Sequence, residues 1–199
     1  LKATVVSGGT ATVDEALQEL FLKIRENLQI RRFVRLEGTL MPYIHGGGKI
    51  GVMVRVESSD GASEAALTVA KDCALQIAAM NPAYLNREAV PASVLEEEKT
   101  IVLSQMAEDP KMAAKPEQVR AKIAEGKVGK YFSENCLLEQ TFVKDGSMTV
   151  QQYVDSAAKA AGTSIKVVEY VRFERGEGIE KKEEDFAAEV AAQMNMGKK

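Results

Sequence analysis

The chain has 199 residues, 45% of them hydrophobic and 28% charged, the balance of a globular protein with room for one or two domains. Its 26 basic and 29 acidic residues leave a net charge of -3, so there is no basic field to hold a phosphate backbone, which argues against direct nucleic-acid binding. No run approaches the roughly 18 to 20 apolar residues of a membrane span, and the N-terminus lacks the charged, then apolar, pattern of a secretion signal. A location inside a cell or organelle is expected, and the start at Leu1 rather than methionine reads as a piece of something longer.

In chain order, a flexible N-terminal segment is expected over residues 1–11. Thr12-Val13-Asp14-Glu15 then has the form in which a threonine caps the third helical amide and a glutamate reaches back to the cap. Leu17, Leu20, Phe21, Ile24 and Leu28 follow as one helical stripe, after which Ile30, Arg32, Val34 and Leu36 change to a period of two and predict a strand ending at Glu37. Shifted by 137 residues, Thr149-Val150-Gln151-Gln152 repeats the cap. Val150, Tyr153, Val154, Ala157 and Ala161 repeat the stripe, and Ile165 to Glu174 repeats the strand. Phe33-Val34-Arg35-Leu36-Glu37 thus lies over Tyr170-Val171-Arg172-Phe173-Glu174, a helix-then-strand unit written twice.

Between the copies, Lys49 to Glu57 follows a triple-glycine turn and is expected to pair antiparallel with the strand ending at Glu37. A third strand would come from the second repeat or from Cys136 to Val143. Ser63 to Met80 carries Ala66, Val69, Ala70, Cys73 and Ile77 at helical spacing, stops before Asn81-Pro82, and is expected to cover one face of the sheet. Two helices opened by proline, Pro91 to about Ala107 and Pro116 to about Tyr131, form a hairpin broken at Glu108-Asp109-Pro110. Its narrow seams, Val94, Ile101, Val102 and Met106 against Val119 and Ile123, suit packing on the body or on a second copy. A last helix, with Phe186, Val190 and Met194 at four-residue spacing, has to dock on something.

Chemical motifs are sparse. Gly46-Gly47-Gly48-Lys49 fails the phosphate-loop pattern, because Tyr43 stands where the first glycine belongs and a strand follows instead of a helix, so a tight hairpin loop is expected. His45 is the single histidine, with no nucleophile signature to serve. Cys73 and Cys136 sit among apolar neighbours without metal-ligand spacing and are expected to be buried, reduced thiols. Glu96-Glu97-Glu98 and Glu183-Glu184-Asp185 read as solvated acids near helix starts. No catalytic residue, metal or cofactor is expected.

Several collinear stretches carry a family resemblance. They are Ile30-Arg31-Arg32-Phe33, Tyr43-Ile44-His45-Gly46, Ile50-Gly51-Val52, Ala70-Lys71-Asp72 with its helix, and Glu125-Gly126-Lys127. Leu138-Glu139-Gln140, Phe142-Val143-Lys144-Asp145, Val171-Arg172-Phe173-Glu174, Gly176-Glu177-Gly178-Ile179-Glu180-Lys181 and Asp185 to Ala191 continue the series. From about residue 12 onward the chain resembles translation elongation factor Ts. The resemblance implies a guanine-nucleotide exchange factor, not an enzyme, that binds the GTPase elongation factor Tu and promotes GDP release. It implies partner contacts at His45, Gly46, Phe142 and Val143 toward the far domain of the GTPase, and at Phe186, Val190 and Met194 of a C-terminal helix docking on its GTP-binding domain. It also implies a homodimer through Val94, Ile101, Val102, Val119 and Ile123 of the hairpin.

The expected architecture is α+β, with small antiparallel sheets covered by helices, a protruding antiparallel hairpin over 91–131, and a docking helix within 179–199. The core is discontinuous, 12–90 and 132–178. A bacterial cytoplasm is the expected location, with a plastid stroma or mitochondrial matrix as the alternative. The family's N-terminal three-helix module and its Thr-Asp-Phe-Val wedge have no counterpart among these residues. Alone, the chain is therefore expected to exchange nucleotide poorly, or to act as a dimerising structural module that keeps the fold without exchange.

Overall fold

The computed structural model describes residues 1–26 and 28–179. The closing helix expected around Phe186, Val190 and Met194 lies outside them. The chain divides into a unit of Leu1–Leu36 and a second unit that begins at Glu37.

In the first unit, the Val6 N–H donates to the Ala11 carbonyl at 2.9 Å, and a bridge pairs Val5 with Thr12. Helix α1, Val13–Ile24, starts on the capping box expected from sequence. The Glu15 N–H donates to the Thr12 hydroxyl at 3.3 Å, and the Thr12 N–H donates to the Glu15 carboxylate at 2.6 Å. That backbone hydrogen bond holds the Glu15 carboxyl below its ordinary value. The helix closes at Arg25 in left-handed backbone, φ 61.

Residues 28–37 form no strand, which corrects the expectation for the first repeat. The strand starts two residues after Glu37: β1 is Thr39–His45, and it pairs antiparallel with β2, Ile50–Ser58, from Thr39 opposite Val56 to His45 opposite Ile50. In that register Glu37 would face Ser58, the last residue of β2, so the β1–β2 ladder leaves no room for a strand that ends at Glu37. Gly38 at φ 120 also turns the backbone out of the extended region.

The second repeat does supply the third strand. β5, Ile165–Glu174, pairs antiparallel with the other edge of β2, giving the sheet order β1-β2-β5. A register shift at Arg55/Val56 lets Val167 and Tyr170 face the same side as their partners Val56 and Val54. Val52, Val54 and Val56 point into the core, where they meet Val69, Ala70, Cys73 and Ile77 of α2, Glu64–Met80. The alanines of α2 let its backbone approach the sheet closely, while the large aliphatics each contribute about 1.5–3 kcal/mol by burial. Ser63 caps the start of α2, and Asn81 in left-handed conformation ends it before Pro82.

The hairpin forms as expected, from α3, Ala92–Glu108, a single turn α4, Pro110–Ala113, and α5, Glu117–Asn135. Its seam buries Val102, Met106 and Ala124, with Ile123 and Met112 packed beside them. At its base the Asn135 carbonyl accepts the Ala83 and Tyr84 N–H groups at 2.9 and 3.0 Å. Arg87 donates to both carboxylate oxygens of Glu139 at 2.5 and 2.6 Å while standing 4.7 Å over the Phe132 ring.

After α5, the run from Cys136 to Val143 does not join the main sheet. A short 3₁₀ turn, Leu137–Glu139, leads into β3, Thr141–Phe142, which pairs with β4, Asp145–Thr149, as a separate two-stranded sheet. Helix α6, Val150–Ala161, then opens on the second capping box, at Thr149 and Gln152, and closes at Gly162. Val150 and Val154 join the core with Tyr153, Ala157 and Ala158 against it, whereas Ala161 is exposed. Among the described residues no helix is long and apolar enough to cross a membrane.

Candidate functional site

The segment Thr141 to Lys144 stands out for how much polar machinery holds it. β3 is only two residues long, and its ladder shifts register between Thr141 and Phe142, so strand pairing alone defines this backbone weakly. The missing bonds come from α2. Gln76 accepts the Val143 N–H at 2.8 Å and donates to the Thr141 carbonyl at 3.1 Å. It also donates to the side-chain oxygen of Gln140 at 3.1 Å, and Gln140 in turn donates to the Glu134 carbonyl at 2.7 Å. Both glutamines are fully buried, and every one of these amide groups has a partner, as burial demands.

One turn earlier on α2, the nearly buried Asp72 accepts from the Lys144 ammonium at 2.5 Å and from the Tyr153 hydroxyl at 2.7 Å. Burial, with the hydrogen bond to Asp72, pushes the Tyr153 phenol well above its ordinary range. The Phe142 ring lies stacked on Tyr153 at 4.2 Å between centroids and 15° between planes. Of the two expected contact residues here, Phe142 is thus a core residue and Val143, 42% exposed, is the surface one.

His45 and Gly46 sit at the other end of the molecule's main hairpin, the β1–β2 turn. Gly46, Gly47 and Gly48 take φ values of 59, 63 and 90, in the tight loop expected between β1 and β2. His45 is exposed, with Nδ1 3.2 Å from the Tyr43 hydroxyl. In the helical hairpin, Val102 and Ile123 meet in the seam and Val94 is half-buried, while Ile101 and Val119 face outward at 49% and 42% exposure.

Neither cysteine is a ready nucleophile. Both are free and buried; burial first, and then the neighbouring Asp72 charge, pushes the Cys73 thiol up to about 12, while burial and Glu139 push Cys136 to about 11. Among the described residues no group of three His, Cys, Asp or Glu side chains is placed to hold a metal ion.

No role is expected from the sequence for Asp72, Gln76 or Gln140, although Asp72 and Gln140 lie in stretches that carry the family resemblance. The available signal was position: Asp72 and Gln76 share the stripe of α2 that carries Val69, Cys73 and Ile77, so each is a polar residue where the core is expected.

The model of the family described as Elongation factor TS matches residues 1–177. The chain belongs to the elongation factor Ts family. It is 46% identical over 192 residues to "Elongation factor Ts" of Clostridium kluyveri, covering 95% of this chain and 61% of that relative. It is 43% identical over 201 residues to "Elongation factor Ts" of Clostridium botulinum (strain ATCC 19397 / Type A), covering 100% of this chain and 64% of that relative. The chain thus spans less than two thirds of the length of the elongation factor Ts relatives it matches.

Proposed function

We propose that this chain binds the GTPase elongation factor Tu in a bacterial cytoplasm and promotes release of its GDP. What supports the reading is the family match along residues 1–177. Exchange needs no covalent step. A factor that binds the nucleotide-free GTPase more tightly than the GDP-bound form weakens GDP by the same ratio, because the two binding equilibria are linked.

The contact residues proposed are Val143, backed by Phe142, and His45 with Gly46; Phe186, Val190 and Met194 are proposed as a further contact. The outward-facing Ile101 and Val119 favour a second, compatible role for the hairpin, association with another copy of the chain. Mixing the chain with elongation factor Tu carrying a fluorescent GDP tests the first reading. Faster release on addition of the chain supports it. Unchanged release, with no complex on gel filtration, leaves only the dimerising module.

A further inference from the structure

We propose that Gln76 and Asp72 are positioning residues that hold the Val143–Lys144 turn so that Val143 stands as a fixed aliphatic knob for an apolar socket on the partner protein. This rests on the partner-binding reading of Val143. In an extended chain the carbonyl of one residue and the N–H two residues on point to the same side, so Thr141 and Val143 present the pair that a neighbouring strand would take. The Gln76 carboxamide takes both, at 3.1 and 2.8 Å, and replaces the rung that the two-residue β3 lacks. Its remaining donor is fixed by Gln140, so the amide cannot turn away without breaking a buried bond.

With the backbone fixed on both sides of Phe142, the side chains alternate. Phe142 points inward onto Tyr153, and Val143 points outward. Lys144 folds back to Asp72, whose second oxygen takes the Tyr153 hydroxyl. The ammonium is therefore paired within the chain, and the aliphatic group that the turn offers a partner is the valine. A knob already ordered before contact loses little conformational freedom on binding, which raises affinity without adding a contact.

The test uses the full chain, with Gln76→Met to keep volume and remove the amide, and Asp72→Asn to keep shape and remove the charge. Amide exchange is read at Val143 and, as a control for the fold, at Val54; affinity for elongation factor Tu is read with and without Val143→Ala. The expected result is Val143 exchange faster by roughly tenfold in Gln76→Met with Val54 unchanged, the scale of one lost buried hydrogen bond. Affinity should fall about fivefold in the Val143 background and less than about twofold beside Val143→Ala, since Gln76 acts through Val143. Asp72→Asn should make binding more sensitive to salt, because Lys144 is freed. Unchanged Val143 exchange, or an equal affinity loss in both backgrounds, overturns the proposal. If the unsubstituted chain binds no elongation factor Tu, the binding reading fails, and the exchange measurement still decides whether Gln76 positions Val143.

Discussion

Arg25 and Gly162, 137 positions apart, close two capped twelve-residue helices in the same left-handed backbone, at φ 61 and φ 66. The two helices share their capping box, their length and their closing conformation. The two residues bear this conformation differently, since a side chain at positive φ costs about 1–2 kcal/mol and glycine avoids that cost. Arg25→Gly is expected to stabilise the end of α1 by about 0.5–1 kcal/mol, read as slower exchange of the residue-25 amide that bonds the Phe21 carbonyl. Gly162→Arg is expected to cost about 1 kcal/mol in chemical denaturation. Because nothing stands within 4 Å of a Cβ built there, that loss isolates backbone strain from crowding.

Ile77 of α2 and Ile44 of β1 separate core from surface. Ile77 is fully buried between α2 and the strands, whereas Ile44 on β1 is 68% exposed. Ile77→Ala is expected to destabilise by about 3–4 kcal/mol through lost transfer energy and the cavity left behind. Ile44→Ala should stay within about 0.5 kcal/mol. Urea denaturation of the two variants measures both.

Much of this core was legible in the sequence because α2 and β2 obey their periods: Val69, Cys73 and Ile77 recur at four, and Val52, Val54 and Val56 alternate at two. The strand expected at Phe33 to Glu37 was not, although its residues match those of β5. Alternation is a local property, while a strand also needs a partner in register, and β1 begins its pairing with β2 only at Thr39, opposite Val56. The candidate site was half legible. Phe142 and Val143 could be named as neighbours, but which of them faces out depends on Gln76, 67 positions away from Val143, and no spacing rule reaches that far.

Alkali should weaken the fold. The thiol of Cys73 is raised from an ordinary 9.0 to about 12, that of Cys136 to about 11, and the phenol of Tyr170 from 10.0 to about 12, each chiefly by burial. A group whose folded value is raised stabilises fully below its unfolded value, and that contribution is lost as pH climbs toward the folded value. The denaturation midpoint is expected to be insensitive to these groups up to about pH 9 and to fall steadily from pH 9 to 12. Replacing Cys73 by alanine should lower stability at pH 7 and flatten the alkaline decline. A decline of unchanged slope would assign it to other groups.

If the hairpin joins two copies, Ile101→Glu and Val119→Glu should abolish self-association in sedimentation velocity. Both positions are exposed within one chain, so the same variants should keep the denaturation midpoint within about 0.5 kcal/mol of the parent. Loss of association together with a large loss of stability would place these side chains in the fold of a single chain instead.

The most direct test of the proposed function is stopped-flow release of fluorescent GDP from elongation factor Tu, with excess unlabelled nucleotide and increasing amounts of this chain. The release rate is expected to rise and saturate with chain concentration, with a weaker response for Val143→Ala. A rate that stays at its spontaneous value across that range, with no complex on gel filtration, would contradict the proposed function.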